Sequence, residues 1–158
     1  MNRCRKRFLI ISLLTLLTIW NGGYVMANGN YAAKAAQVYR FAVYVKWPKS
    51  SKPLTFCVRG NQSFRNILKG QLAKRKSING RKLEVGHSGC HVIVGISQSV
   101  RGGKGVLTIS DVKGFAKNGG MIEFTSANGR NFYINNIVAK RKGVRINAHL
   151  LKLAKEVY

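Results

Sequence analysis

The sequence predicts one domain of the α/β class, in which helices and short strands follow each other along the chain. Segments with apolar residues three and four positions apart, typical of helices, alternate with short apolar runs, typical of strands. The run His91–Ile96 is unbroken and rich in β-branched residues, as expected of a strand covered on both faces. Within Leu107–Asn135, glycine-containing turns separate further apolar runs, which favours a buried strand followed by a hairpin.

Residues 1–27 have the pattern of an export signal peptide. Four basic residues within the first seven positions precede Phe8–Trp20, an apolar stretch interrupted only by serine and threonine. Val25-Met26-Ala27 then supplies small residues where a signal peptidase cleaves, so we expect cleavage after Ala27 and localisation in the periplasm. Cys4 would be removed with this segment. An uncleaved membrane anchor is the alternative, but it would need roughly 20 apolar residues.

The predicted mature chain, Asn28–Tyr158, has the length of one ordinary domain and an extreme positive charge. It keeps 24 basic residues, which is 28 minus the four in the signal peptide, against four acids, for a formal charge of about +20. Such a charge favours contact with anionic phospholipids, acidic envelope polymers or an acidic protein face. Nucleic acid is not expected as a partner, because the chain is exported and shows no RNA-binding or helix-turn-helix pattern. A generally basic proteome would explain the charge without any role in function.

The first helix is predicted at Tyr31–Lys46, where apolar residues recur at a spacing of three and four until Trp47-Pro48 ends the pattern. Leu54–Arg59 is predicted to be a strand. After a Gly60-Asn61 turn, Ser63 is expected to cap a second helix. The apolar face of this second helix consists of Phe64, Ile67, Leu68 and Leu72.

Leu83–Val85 and His91–Ile96 are predicted as the next two strands, and Val106–Ile109 as a buried strand after them. Only nine residues separate Ile96 from Val106. A crossover between parallel strands usually needs a dozen residues or more and a helix. Either a bare loop joins these two strands, or they pair in another way.

Met121–Phe124 and Phe132–Ile134 are predicted to pair as an antiparallel hairpin, with Asn128-Gly129 as a two-residue turn. Beyond the hairpin, Ile137–Lys142 and Asn147–Val157 are predicted to be helical, with an apolar face opposite a strongly basic one. The basic face is either a solvated surface or a docking surface for an acidic partner.

Cys57 and Cys90 are the cysteines of the mature chain, and an even number in an exported protein favours one disulfide between them. The alternative of a metal site formed by His87, Cys90 and His91 lacks a fourth ligand. A cysteine nucleophile with His87 as base would need a free thiol and an orienting acid, and Glu84 is the only acid nearby. With four acids in the whole chain, paired carboxylates for hydrolysis are not expected either. The sequence therefore predicts no catalytic residue, no metal and no cofactor.

Motifs spread over residues 31–155 match those of one known family. In the second half they are Thr108–Asp111, Gly114-Phe115, Gly119–Phe124 and Phe132–Asn135. Elsewhere they are Lys34-Ala35-Ala36, Trp47-Pro48, Leu54–Gly60, Gly80–Leu83, Gly89–Ile93, Arg141–Ile146 and Leu150–Ala154. These motifs resemble the YfiR-like family of bacterial periplasmic proteins. Two departures are the short connection before Val106 and the absence of a second cysteine pair, which better-studied members carry where this chain has Gly119–Ile122.

The resemblance implies an α/β domain with a central, mostly parallel sheet, helices on both faces and a C-terminal β-hairpin plus helix. It also implies a non-catalytic periplasmic regulator that binds the periplasmic part of a membrane-bound diguanylate cyclase and represses it, which controls cyclic-di-GMP and biofilm formation. On the hairpin and the segment after it, four residues are expected to contact this partner: Tyr133, Asn135, Arg141 and Arg145. The rival hypotheses are a cationic envelope-binding module and a small thiol enzyme. The sequence is compatible with both a monomer and a homodimer.

Overall fold

The computed structural model describes residues 22–158, with side chains from residue 29 onward, and shows one seven-stranded sheet. The strands are β1 Leu54–Arg59, β2 Leu83–Gly86, β3 Val92–Gly95, β4 Leu107–Ser110, β5 Ile122–Phe124, β6 Phe132–Ile134 and β7 Glu156–Val157. The helices are α1 Gly22–Val43, α2 Gln62–Ala73, α3 Asn136–Arg141 and α4 Ala148–Leu153. None of these four helices is long and apolar enough to cross a membrane.

The predicted α/β class with a mostly parallel sheet is confirmed. The strands lie in the order β2-β1-β3-β4-β5-β6-β7, and the first five pair in parallel. Strand β6 pairs antiparallel with β5, which confirms the hairpin, and β7 runs parallel to β6. Most of the predicted signal peptide, including Cys4, lies outside the described residues, so its cleavage after Ala27 stays a prediction.

Helix α1 packs its apolar stripe against the sheet, as its periodicity predicts. It begins earlier than predicted and ends before Lys46. Phe41 is almost completely buried, and its ring centroid lies 5.5 Å from that of Phe124 and 4.8 Å from that of Phe132. This contact between helix and hairpin places one side of the core between α1 and the sheet.

Helix α2 lies beside α1, and its cap differs from the prediction. Asn61, not Ser63, is the N-cap residue, and its side-chain oxygen accepts the backbone N–H of Phe64 at 2.7 Å. Asparagine competes well with serine at this position because its side chain also bonds locally to the backbone. The side-chain amide of Asn61 also donates to the Tyr31 hydroxyl at 3.0 Å, so the cap links α2 to α1.

The two faces of the sheet differ in polarity, because successive side chains of a strand point to opposite faces. One face is apolar and packs against α1 and α2, with Leu54, Phe56, Val92, Val94, Leu107, Ile109 and Ile122 fully buried. The other face carries Thr55, Cys57, Thr108, Ser110 and Glu123. The connections 96–106 and 111–121 cover this polar face, and α3 lies next to them, where Val138 shares a cavity with Thr108 and Met121.

The connection between β3 and β4 is a bare loop, which settles the alternatives left by the sequence. The two strands pair in parallel, with Val92 opposite Leu107, and residues 96–106 return across the sheet without a helix. The return is tight, because a Cβ atom at Gly95 would overlap the carbonyl oxygen of Gln98. That same oxygen accepts the Ser110 hydroxyl at 2.9 Å, so polar groups of β4 hold the loop.

Two details of the C-terminal part were predicted wrongly. The hairpin turn is longer than two residues: the N–H of Thr125 donates to the carbonyl of Asn131, and only Gly129, not Asn128, has a positive φ, at 70°. The helical prediction for Asn147–Val157 holds only as far as Leu153. The following residues instead form β7, because they add to the free edge of β6.

The predicted disulfide is present between Cys57 and Cys90, whose Cα atoms lie 5.7 Å apart. It links β1 to the residues just before β3, so it joins neighbouring strands of the sheet. The Cys57 side chain is fully buried.

We expect replacement of both cysteines, in Cys57→Ser/Cys90→Ser, to lower the free energy of unfolding by about 3–4 kcal/mol, because the bridge closes a loop that the unfolded chain would otherwise leave open. Urea unfolding followed by circular dichroism measures this change. Adding reductant should destabilise the wild type by a similar amount and leave the double variant unaffected. Equal stability of the two proteins in oxidising buffer would contradict the expectation.

Candidate functional site

The four predicted contact residues do not form one cluster in the structure. Tyr133 and Asn135 belong to β6 and its end, and both side chains are on the polar face of the sheet. Tyr133 is half-buried, with its ring 6.3 Å from that of Tyr158 and edge-on to it. Arg141 and Arg145 are exposed and lie at and beyond the end of α3.

Asn135 stabilises the fold at the start of α3. It is the N-cap of α3, accepting the N–H of Val138 at 2.9 Å, and its amide donates to the carbonyl of Ala116 at 2.8 Å. Only 8% of its surface is exposed. Its hydrogen bonds therefore join α3 to the loop after β4, and little of the side chain is available to another protein.

Arg141 and Arg145 flank a well-defined turn. Gly143 has a φ of 76°, and the N–H of Val144 donates to the carbonyl of Ala139 at 2.8 Å, a glycine-based helix end. Val144 is buried, which anchors the turn to the core. The two arginines thus extend into solvent from backbone that is held on both sides.

Exposed apolar residues lie on α3 and β7, on the same part of the chain as Arg141 and Arg145. Ile137 is 66% exposed and Val157 is 44% exposed. The N–H of Ile137 donates to the carbonyl of Tyr158 at 3.2 Å, which places the start of α3 beside β7. Ile137 and Arg141 are four residues apart on one helix, so they share a face. Val138 and Ala139 are the buried residues of this helix, so Ile137 lies on its exposed side.

Two acidic residues, Asp111 and Glu123, have partners inside the fold. Asp111 forms an ion pair with Lys34, with Nζ 2.7 Å from Oδ2, and the two side chains are 16% and 9% exposed. Its other oxygen accepts the backbone N–H of Ser97 at 2.6 Å. The two oxygens of Glu123 accept the backbone N–H groups of Gly114 and Ala116. Their lone pairs hold loops in place, so neither carboxylate is arranged as a general acid or base.

Cys57 and Cys90 are joined in the disulfide, so neither has a free thiol that could act as a nucleophile or bind a metal. Two histidines lie near the disulfide. Nδ1 of His87 is 3.3 Å from Nη1 of Arg65, and Nε2 of His91 is 2.8 Å from Nη2 of Arg81. Within residues 22–158, no group of three or more His, Cys, Asp or Glu side chains is arranged to hold a metal ion.

Comparison with protein families identifies this architecture. A family model described as YfiR/HmsC-like matches residues 31–155, from α1 to the end of α4. The chain belongs to the YfiR/HmsC-like family. The match confirms the resemblance carried by the sequence motifs, and no curated protein matches the chain. The YfiR/HmsC-like family is known as regulatory rather than catalytic.

We expect Lys34→Met to lower the free energy of unfolding by about 3 kcal/mol, because the mostly buried carboxylate of Asp111 loses its charged partner. The double variant Lys34→Met/Asp111→Asn should lose clearly less stability than the sum of the losses in Lys34→Met and Asp111→Asn. Urea unfolding of the wild type and these three variants measures the difference. Lys113→Met is the matched control. Lys113 lines a surface cavity together with Lys34 and Asp111 but is exposed, so its replacement should change the free energy of unfolding by no more than about 0.5 kcal/mol. Additive single changes would show that the two side chains are not coupled.

Proposed function

We propose that the protein is a non-catalytic periplasmic regulator that binds the periplasmic part of a membrane-bound diguanylate cyclase and holds it inactive. Through this contact it would limit cyclic-di-GMP and biofilm formation. The observation that carries the proposal is the YfiR/HmsC-like match, which spans nearly the whole described fold. The disulfide also supports an oxidising compartment such as the periplasm.

The chemistry of the chain supports action by contact. Asp111 and Glu123 serve as internal acceptors, and the cysteines are paired, so these groups stabilise the fold. Exposed apolar side chains beside arginines, as at Ile137 and Arg141, have the composition of a protein-binding surface. The positive charge of the chain favours an acidic face on the partner.

The test combines the protein with the purified periplasmic part of a membrane-bound diguanylate cyclase from the same organism. We expect Arg141→Glu/Arg145→Glu to weaken binding at least about tenfold, because each change replaces an attraction to an acidic face with a repulsion. Surface plasmon resonance measures the affinity. In cells that contain both proteins, the same double variant should raise cyclic-di-GMP.

The matched control is Lys69→Glu/Lys74→Glu, which changes the net charge equally on the exposed side of α2 and at its end. This control should bind as the wild type does, and both double variants should keep the wild-type melting temperature. If the control weakens binding as much as the arginine variant, the contact depends on overall charge and not on the surface at α3. Unchanged affinity in both variants would exclude this surface.

A second candidate function is a cationic envelope-binding module, favoured by one observation. Among the described residues, Lys34 and Asp111 form the single ion pair, so nearly all the basic side chains lack an acidic partner within the protein. Such a surface would bind anionic lipid or acidic polymer without a specific partner.

Binding to vesicles with and without anionic phospholipid distinguishes the two functions. For the envelope-binding module we expect strong binding at low salt that is lost above roughly 0.15 M, because exposed charges are then screened within about 8 Å. A complex with the cyclase fragment that survives such salt, without vesicle binding, would support the regulator and contradict the module.

A further inference from the structure

A cavity of about 550 Å³ opens at the amino-terminal edge of the parallel strands, between the end of α1 and the turn after α3. Its volume lies in the range of small-molecule sites. Apolar groups form one part of its wall: Val45, Trp47, Pro48 and Val144. Four basic residues also line it: Lys46, Arg81, Lys104 and Arg145. No acidic residue in the described part of the chain contributes to the lining.

Arg81 is the most deeply buried of these cations, with 3% of its surface exposed. Its Nε and Nη2 donate to the carbonyl oxygens of Lys52 and Pro53, each at 2.9 Å. Within residues 22–158, no carboxylate lies within ion-pair distance of the guanidinium, and none of its hydrogen bonds uses Nη1. A guanidinium stays charged when buried, and a buried charge without a counter-charge is costly.

His91 lies against Arg81 and adds a further donor. Its Nδ1 accepts the backbone N–H of Thr55 at 3.1 Å, and its Nε2 lies 2.8 Å from Nη2 of Arg81. A neutral imidazole that accepts at Nδ1 carries its proton on Nε2, and in this tautomer both Nε2 of His91 and Nη2 of Arg81 are donors. Burial and the Arg81 charge lower the pKa of His91, although Glu84 raises it, so the lowered pKa favours the neutral ring beside Arg81.

We propose that this cavity is a binding site for a small organic oxyanion, whose phosphate or carboxylate oxygens accept hydrogen bonds from Arg81 and His91. Lys46, Lys104 and Arg145 supply further positive charge. Trp47 and Pro48 form an apolar wall for the rest of the ligand. The indole is held in place, because its Nε1 donates to the carbonyl of Ala42 at 2.7 Å. The cavity and its ligand go beyond the proposed contact with a cyclase.

The test adds inorganic phosphate, phenyl phosphate or benzoate to the purified protein, with the ionic strength held constant by NaCl. The anion that binds is expected to raise Tm steadily with the logarithm of its concentration. It should also shift the NMR signals of the His91 ring and raise the pH midpoint of their titration, because a nearby negative charge favours the protonated ring. Tighter binding of phenyl phosphate than of benzoate would assign a phosphate, and the reverse a carboxylate. Either result supports the site.

Lys46→Gln/Lys104→Gln should raise the dissociation constant about tenfold, because two cations are removed from the lining while the exposed positions tolerate the change. Lys69→Gln/Lys74→Gln, which removes the same charge elsewhere, should leave it unchanged. Arg145 is left unchanged in this variant because it also belongs to the proposed surface for the cyclase. The anion site and the cyclase contact are therefore tested independently of each other. The proposal is overturned if all three anions act no more strongly than NaCl, or if the control double variant loses as much affinity.

Discussion

The carboxylate of Asp111 connects three parts of the chain at the carboxyl end of the parallel strands. It directly follows β4, pairs with Lys34 on α1, and accepts the N–H of Ser97 at the start of the helix-free connection. In most parallel sheets a crossover helix packs on the sheet and fixes the path between neighbouring strands. Here the connection is too short for a helix, and polar contacts of Asp111 and Ser110 fix its path instead.

The same use of acids explains the electrostatics of the surface. The chain has four carboxylate side chains for 28 basic residues. Asp111 and Glu123 accept hydrogen bonds from loop backbone, and Glu84 accepts the hydroxyl of Thr55 at 2.6 Å. Asp111 neutralises Lys34, and within residues 22–158 no other acid forms an ion pair with a lysine or arginine. The protein therefore presents positive charge on several sides, which favours anionic partners in general and makes the arrangement of the charges, not their number, the source of specificity.

Much of the fold could be predicted because it depends on local pattern. The apolar stripe of α1, the apolar runs of the hairpin and the two cysteines of the predicted mature chain are all visible in the sequence. The errors occurred where tertiary contacts decide. Asn61 takes the cap that was assigned to Ser63, since it also bonds to Tyr31 on another helix. Residues 156–157 leave the helical pattern because the edge of β6 offers backbone carbonyls: those of Phe132 and Ile134 accept the N–H groups of Lys155 and Tyr158.

The candidate sites show the same division between local pattern and tertiary contact. Arg141 and Arg145 could be identified as an exposed basic segment because charge is visible in sequence. The exposed Ile137 beside β7 could not, since β7 itself was not predicted. Arg81 and His91 each lie in a recognisable motif, yet their contact and the missing counter-charge appear only when β1, β3 and the preceding turn are assembled.

The disulfide has a further consequence for this pair, because Cys90 directly precedes His91. The bridge fixes Cys90 to β1, and the N–H of His91 donates to the carbonyl of Thr55 in the same strand at 2.9 Å. The ring is held again by the N–H of Thr55 at Nδ1. With backbone and ring both tied to β1, His91 has little freedom to turn away from Arg81. The two donors are therefore positioned before any ligand arrives, and binding an anion would require little further ordering of this part of the protein.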